Sequence, residues 1–198
     1  MTYLALSKAL RKRYPSAAER SAFVARLRDA EFKAPFVYKT HDFPQALLEW
    51  PADTRVVFCF GSTKDSAFSV YSAKERYGED WIRQHFYHLH ATGEYCDLFQ
   101  RDILQQAKQI KEWAVFEDVP VLCVHYDAIW DHQSDISEFT GLKMKLPKRE
   151  QRAPKEIPTE LRSAASHVYD SIDEIVEELP RCFIASPKYA DIVAKLPV

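Results

Sequence analysis

Three short stretches of this sequence hold side chains that could do chemistry. Lys39-Thr40-His41 places an imidazole, which titrates near neutral pH, two residues from a cation that would keep it unprotonated and fit to act as a general base. The same histidine could equally be a turn residue bonded to its own backbone. Phe60-Gly61-Ser62-Thr63-Lys64-Asp65-Ser66 joins an apolar run to the start of a helical one. At such a junction the first backbone N–H groups of the helix lack intrahelical partners, and the positive end of its dipole favours an anion. Ser62, Thr63 and Ser69 add hydroxyls there and Lys64 adds charge. The plainer alternative is a helix cap in which Thr63 or Asp65 satisfies its own backbone. The third stretch, His125-Tyr126-Asp127, ends another apolar run.

Other candidates read as packing. His85 and His88 are three apart and would share a helix face, but His90 falls five beyond His85 and no carboxylate stands at a ligand spacing, so no metal is expected. Trp81, Phe86, Tyr95 and Phe99 read as core rather than as a platform for stacked bases.

The elements that must position these residues alternate. Residues 1–33 read as a helical N-terminal segment, with a first helix carrying Leu4, Leu6 and Leu10 and a second, capped by Ser16, carrying Phe23, Val24 and Leu27. Strands are expected over 34–39, 55–60 and 119–124, and helices over about 66–76, over 80–116 with a break near Thr92-Gly93, after the third strand to an end near Thr140-Gly141, and over 159–179. Residues 143–158 form a basic loop punctuated by proline. Strands of continuous β-branched and aromatic residues between helices predict a single α/β domain over 1–198, a mainly parallel sheet covered on both faces. Ligands then belong at the C-terminal ends of the strands, which is where the three stretches fall.

Composition narrows the function classes. The net charge of −2 comes from 27 basic and 29 acidic residues, interspersed, so neither nucleic acid nor a membrane surface is an expected partner. The four cysteines, Cys59, Cys96, Cys123 and Cys182, form no CxxC pair and follow no secretory leader, which predicts reduced thiols in the cytoplasm. Only four glycines occur, and they do not cluster, so no phosphate loop of the GxGxxG or GxxxxGK[ST] kind is present.

Taken in order, these stretches resemble the sulfotransferase superfamily. Its members carry a strand ending in Lys-Thr-His, here Lys39-Thr40-His41, and about twenty residues later a strand leading into Arg-Asn-Pro-x-Asp-x-x-x-Ser, here Gly61 to Ser69 with Asp65 and Ser69 matching and Gly61 in place of the arginine. A later strand followed by Tyr-Glu-Asp-Leu and Phe-Leu-Gly-Leu is echoed by His125-Tyr126-Asp127-Ala128 and by Phe139-Thr140-Gly141-Leu142. The resemblance spans about 35–155 and implies a P-loop-NTPase-like three-layer architecture. It implies sulfuryl transfer from 3′-phosphoadenosine 5′-phosphosulfate (PAPS) to a hydroxyl or amine of a small molecule or glycan. His41 would be the base and Lys39 a neutralising cation. Ser62, Thr63, Lys64 and Ser69 would hold the 3′-phosphate, with Tyr126 near the adenine and Arg149 and Arg152 in a closing basic loop. The chain departs from the family in having no Pro-Lys-Ser-Gly-Thr-Thr loop ahead of Lys39, and Cys182 to Lys195 only partly imitates one. A second copy or a partner chain is left open as the source of that loop. The alternative is an inactive sulfotransferase-like domain that binds a nucleotide, a glycan or a protein partner.

Overall fold

A computed structural model describes residues 1–14, 21–150 and 154–197. Strands form where the apolar runs are continuous. Val56–Phe60 (β3) and Val121–His125 (β4) pair in parallel, Val56 opposite Val121 and Phe60 opposite His125, and Cys182–Ile184 (β5) joins the far side of β4 antiparallel. Two shorter strands, Ser21–Phe23 (β1) and Val37–Lys39 (β2), form a separate parallel pair. The architecture is thus mixed α/β with two small sheets. The expected single, mainly parallel sheet is divided, and one of its strands runs antiparallel.

The helices are Thr2–Arg13 (α1), Thr63–Tyr77 (α2), Glu79–Leu89 (α3), Gln106–Trp113 (α4), Gln133–Thr140 (α5), Thr159–Glu177 (α6) and Ala190–Val193 (α7). Alternation along β3 and β4 sends side chains to two cores. Val56, Phe58, Phe60, Val121 and Cys123 meet α2, α4 and α6 through Ala67, Phe68, Ile110, Trp113, Tyr169 and Ile172. Val57, Leu122 and Val124 meet Ala5 and Leu6 of α1 and Ile136 of α5. Such two-sided burial is what continuous apolar strands require.

The expected second helix of the N-terminal segment does not form around Phe23. Residues 21–23 are strand β1, extended by Val24 N–H donating to Lys39 O at 2.9 Å, and Leu27–Asp29 is a single 3-10 turn. A few apolar residues spaced three and four apart fit a helix, but parallel pairing with β2 satisfies the same backbone groups. The break expected near Thr92-Gly93 is observed: His90 ends α3 in the left-handed region, and Thr92 N–H turns to Ile103 O at 2.9 Å. A side chain at Gly93 would collide with Ile103 Cγ2 and Asp97 Oδ2 at 2.8 and 2.7 Å.

Ile136 is fully buried between α5 and the sheet, whereas Leu48 stands free in solvent. Ile136→Ala should therefore lower stability by about 2–5 kcal/mol and Leu48→Ala by less than about 0.5 kcal/mol, read as urea midpoints at an unchanged slope.

Candidate functional site

The turn from β3 into α2 builds an anion cradle. Ser62 caps α2, its Oγ accepting from Asp65 N–H at 3.0 Å, and leaves the N–H groups of Thr63 and Lys64 pointing out of the helix end. Those donors are already in use. Asp173, on α6, reaches across with both carboxylate oxygens: Oδ1 accepts from Thr63 N–H at 2.6 Å and Thr63 Oγ1 at 2.7 Å, and Oδ2 from Ser62 Oγ at 2.6 Å and Lys64 N–H at 3.4 Å. Charge-assisted bonds at a helix N-terminus are the strong kind, and this carboxylate collects four donors at once. Thr63 is completely buried by the arrangement. Lys64 Nζ pairs with Asp170, one turn earlier on α6. Ser69 lies a turn and a half into α2 and spends its hydroxyl on Asp65 O at 2.8 Å.

Beside the cradle β4 ends in His125, which is buried. Its Nδ1 faces two donors, Arg181 Nη1 at 2.9 Å and Asp127 N–H at 3.3 Å. Because guanidinium only donates, Nδ1 is the acceptor and the proton sits on Nε2. That Nε2 has no hydrogen-bond partner, although Glu177 Oε1 lies 3.6 Å away. Burial, then Arg181, lowers the pKa of this imidazole and favours the neutral form. Gly61 passes over the same ring: a Cβ there would stand 3.7 Å from His125 Nε2 and 3.3 Å from Tyr126 Cβ. The chain approaches Tyr126 closely here, which favours glycine.

His41 follows β2 and sits in a second group. Its ring packs edge-on against Phe23 at 5.9 Å and His85 at 6.4 Å, and its carbonyl accepts from Gln109 Nε2 at 2.7 Å. Burial lowers its pKa to about 3, helped by Lys39 and the neighbouring histidines, and burial lowers that of His85 to about 4. Lys39 itself is exposed, its Nζ 5.1 Å from the Phe23 ring centre. The carboxylate partner expected of a catalytic histidine belongs instead to His90. Its Nε2 is 2.5 Å from Oδ1 of the buried Asp42, whose Oδ2 accepts from Leu27 N–H. Arg26 Nη1 is 3.1 Å from the same imidazole nitrogen and donates to Tyr87 O at 2.7 Å. Asp42 and His90 form one wall of a cavity of about 600 Å3, which Arg26, Arg28, Phe43, Lys108 and Glu112 also line. Glu112 Oε2 is buried there without a hydrogen-bond partner, and burial raises its pKa toward the protonated form.

Helix α4 joins the two groups. Gln106 Nε2 bonds Thr63 O at 3.2 Å, and Gln109, one turn on, bonds His41 O. Ser62, Thr63 and Lys64 gather at the head of α2 without Ser69, and His41 and Lys39 flank the ring of Phe23. Tyr126 packs at Gly61 and edge-on to Trp130 at 6.4 Å, with the Arg149 guanidinium 5.4 Å from the Trp130 centroid. Arg152 lies outside the described residues. The sequence reading missed Asp173 and Asp42, and it singled out the strand end at His125 without assigning the imidazole a role. Asp173 stands 110 residues from Thr63 on an amphipathic helix where an acidic residue is unremarkable. Asp42 was adjacent to His41 and could have been found by asking which carboxylate the loop buries. No known family model, curated protein or solved structure matches the chain, so the site rests on its own geometry.

The neutral histidines give a pH dependence of definite sign. Below pH 6.5 the unfolded chain takes a proton at His41 and at His85 that the folded chain refuses until about 3 and about 4. Stability present above pH 6.5 should fall on acidification from 6.5 toward 4, by at most about 1.4 kcal/mol per pH unit for each histidine. Urea midpoints measured at pH 7, 6 and 5 should show the fall, and His41→Gln should flatten it.

Proposed function

We propose that the chain is a sulfotransferase-like domain that binds an acidic glycan and does not transfer a sulfuryl group. The observation that carries this reading is the Asp173 carboxylate in the cradle at the head of α2. A 3′-phosphate would have to displace an anion that already holds the Ser62, Thr63 and Lys64 donors, and a phosphate dianion beside that carboxylate would be repelled. The His41 imidazole adds support, since burial without a carboxylate partner makes it a weak base.

The acidic groups of the glycan are received along the open groove at Arg26, Arg28 and Lys108. Guanidinium forks match the oxygens of sulfate or carboxylate. A purine base is poorly served, because the Phe43 ring already has Lys108 Nζ 4.8 Å from its centre.

A second reading has one observation in its favour. Because α4 holds His41 and Thr63 by successive turns, a base and an anion cradle share one support. If Asp173 moved aside, PAPS could be held at Ser62, Thr63, Lys64 and Ser69. His41 would then take the acceptor's proton as the sulfuryl group transfers, Lys39 would supply positive charge, and Tyr126 and Arg149 would approach the adenine. The three-layer sulfotransferase architecture belongs to this family of readings, and the helices on both faces of β3 and β4 are consistent with it.

Calorimetric titration of the purified chain with a sulfated disaccharide and with 3′-phosphoadenosine 5′-phosphate (PAP), beside an assay of PAPS consumption, separates the two. The binding reading expects saturable disaccharide binding, weakened about tenfold or more by Lys108→Ala or Arg26→Ala, and neither PAP binding at millimolar concentration nor PAPS consumption. Micromolar PAP binding with PAPS turnover would replace it by the transfer reading.

A further inference from the structure

A second group of side chains lies on the α5 side of the sheet, away from the cradle. His132 immediately precedes α5 and Asp135 is in its first turn; three residues apart, they share a face. His132 Nδ1 is 2.6 Å from Asp135 Oδ2. Cys182, the first residue of β5, is opposite Val124 of β4, and the chain leaving β4 runs through one 3-10 turn toward α5. The fold thus closes residues fifty apart in sequence onto one spot. One ligand atom from each, an imidazole nitrogen, a carboxylate oxygen and a thiol sulfur, lies within 4.8 Å of the other two.

We propose that His132, Asp135 and Cys182 form a binding site for a thiophilic divalent cation, with Zn2+ the best match. A sulfur with one nitrogen and one oxygen is a donor set that zinc accepts and that magnesium or calcium does not. Bond lengths of about 2.0–2.3 Å in a tetrahedron put ligand atoms about 3.3–3.6 Å apart. The sulfur therefore has to approach by up to about 1.3 Å, and the imidazole and carboxylate have to part by about 0.7 Å. Cys182 is only half-buried, so an ion can reach it, and no residue of the cradle takes part. Burial, and Asp135 beside it, push the thiol up to about 11, so the free site keeps its proton. On binding, the thiol proton leaves to solvent as the sulfur–metal bond forms, with no change of oxidation state. Three protein ligands leave a fourth position for water or an anionic ligand. The ion would tie the last strand to the start of α5, across an edge of the sheet.

Titration of the untagged full chain with Co2+, followed by absorption and reversed by Zn2+, tests the proposal. Expected are one equivalent of Co2+ with a sulfur-to-cobalt charge-transfer band and tetrahedral visible bands. Cys182→Ser should lose the charge-transfer band, and His132→Ala and Asp135→Ala should each weaken binding by about tenfold or more. Circular dichroism of the metal-free variants would verify that each still folds. No stoichiometric binding, or the same charge-transfer band in folded Cys182→Ser, where Cys59 and Cys96 remain, overturns it.

Discussion

The carboxylate of Asp173 is the contact on which the arrangement of the site depends. It joins the last third of α6 to the first residues of α2, satisfies backbone donors that the helix end cannot satisfy itself, and buries Thr63 completely. Helix α6 is thereby held across the C-terminal end of β3, with Tyr169 and Ile172 beneath it in the core and Tyr169 Oη donating to Leu98 O at 2.6 Å. The same bonds that dock the helix give the cradle its resident anion. Structural and functional consequences cannot be separated here: removing the carboxylate would free a place for phosphate and also leave buried donors without partners.

A related trade runs through the histidines. Of the four around β2 and α3, each is placed by packing rather than by a charge relay, except His90. His85 stacks on Trp81 with ring centres 4.5 Å apart, His88 meets Phe23 at 4.7 Å, and His41 closes the group from β2. Burial, with Lys39 and the neighbouring histidines beside it, keeps His41 unprotonated, and burial does the same for His85. His90, itself the left-handed residue that ends α3, turns out of the helix toward Asp42.

Much of the frame was legible in the sequence and its most important contact was not. β3 and β4 could be read because their apolar residues run without interruption, and α2, α5 and α6 because their apolar spacing and their ends agreed. The segment around Phe23 was misread because a three-residue strand carries too little pattern to compete with a helical spacing; its identity is fixed by pairing with β2. The cradle at Ser62–Lys64 could be located from its hydroxyls and its place before a helix. What fills it could not, because Asp173 comes from the opposite end of the chain and nothing local marks it.

The most direct test of the central claim follows the backbone amide resonances of Thr63 and Lys64 while PAP is added. With Asp173 seated in the cradle, both should stay in place up to millimolar PAP, and the Thr63 amide should exchange slowly with solvent. A saturable shift of both resonances at micromolar PAP would contradict the claim, because it would mean that the nucleotide phosphate takes the donors that the carboxylate is said to hold.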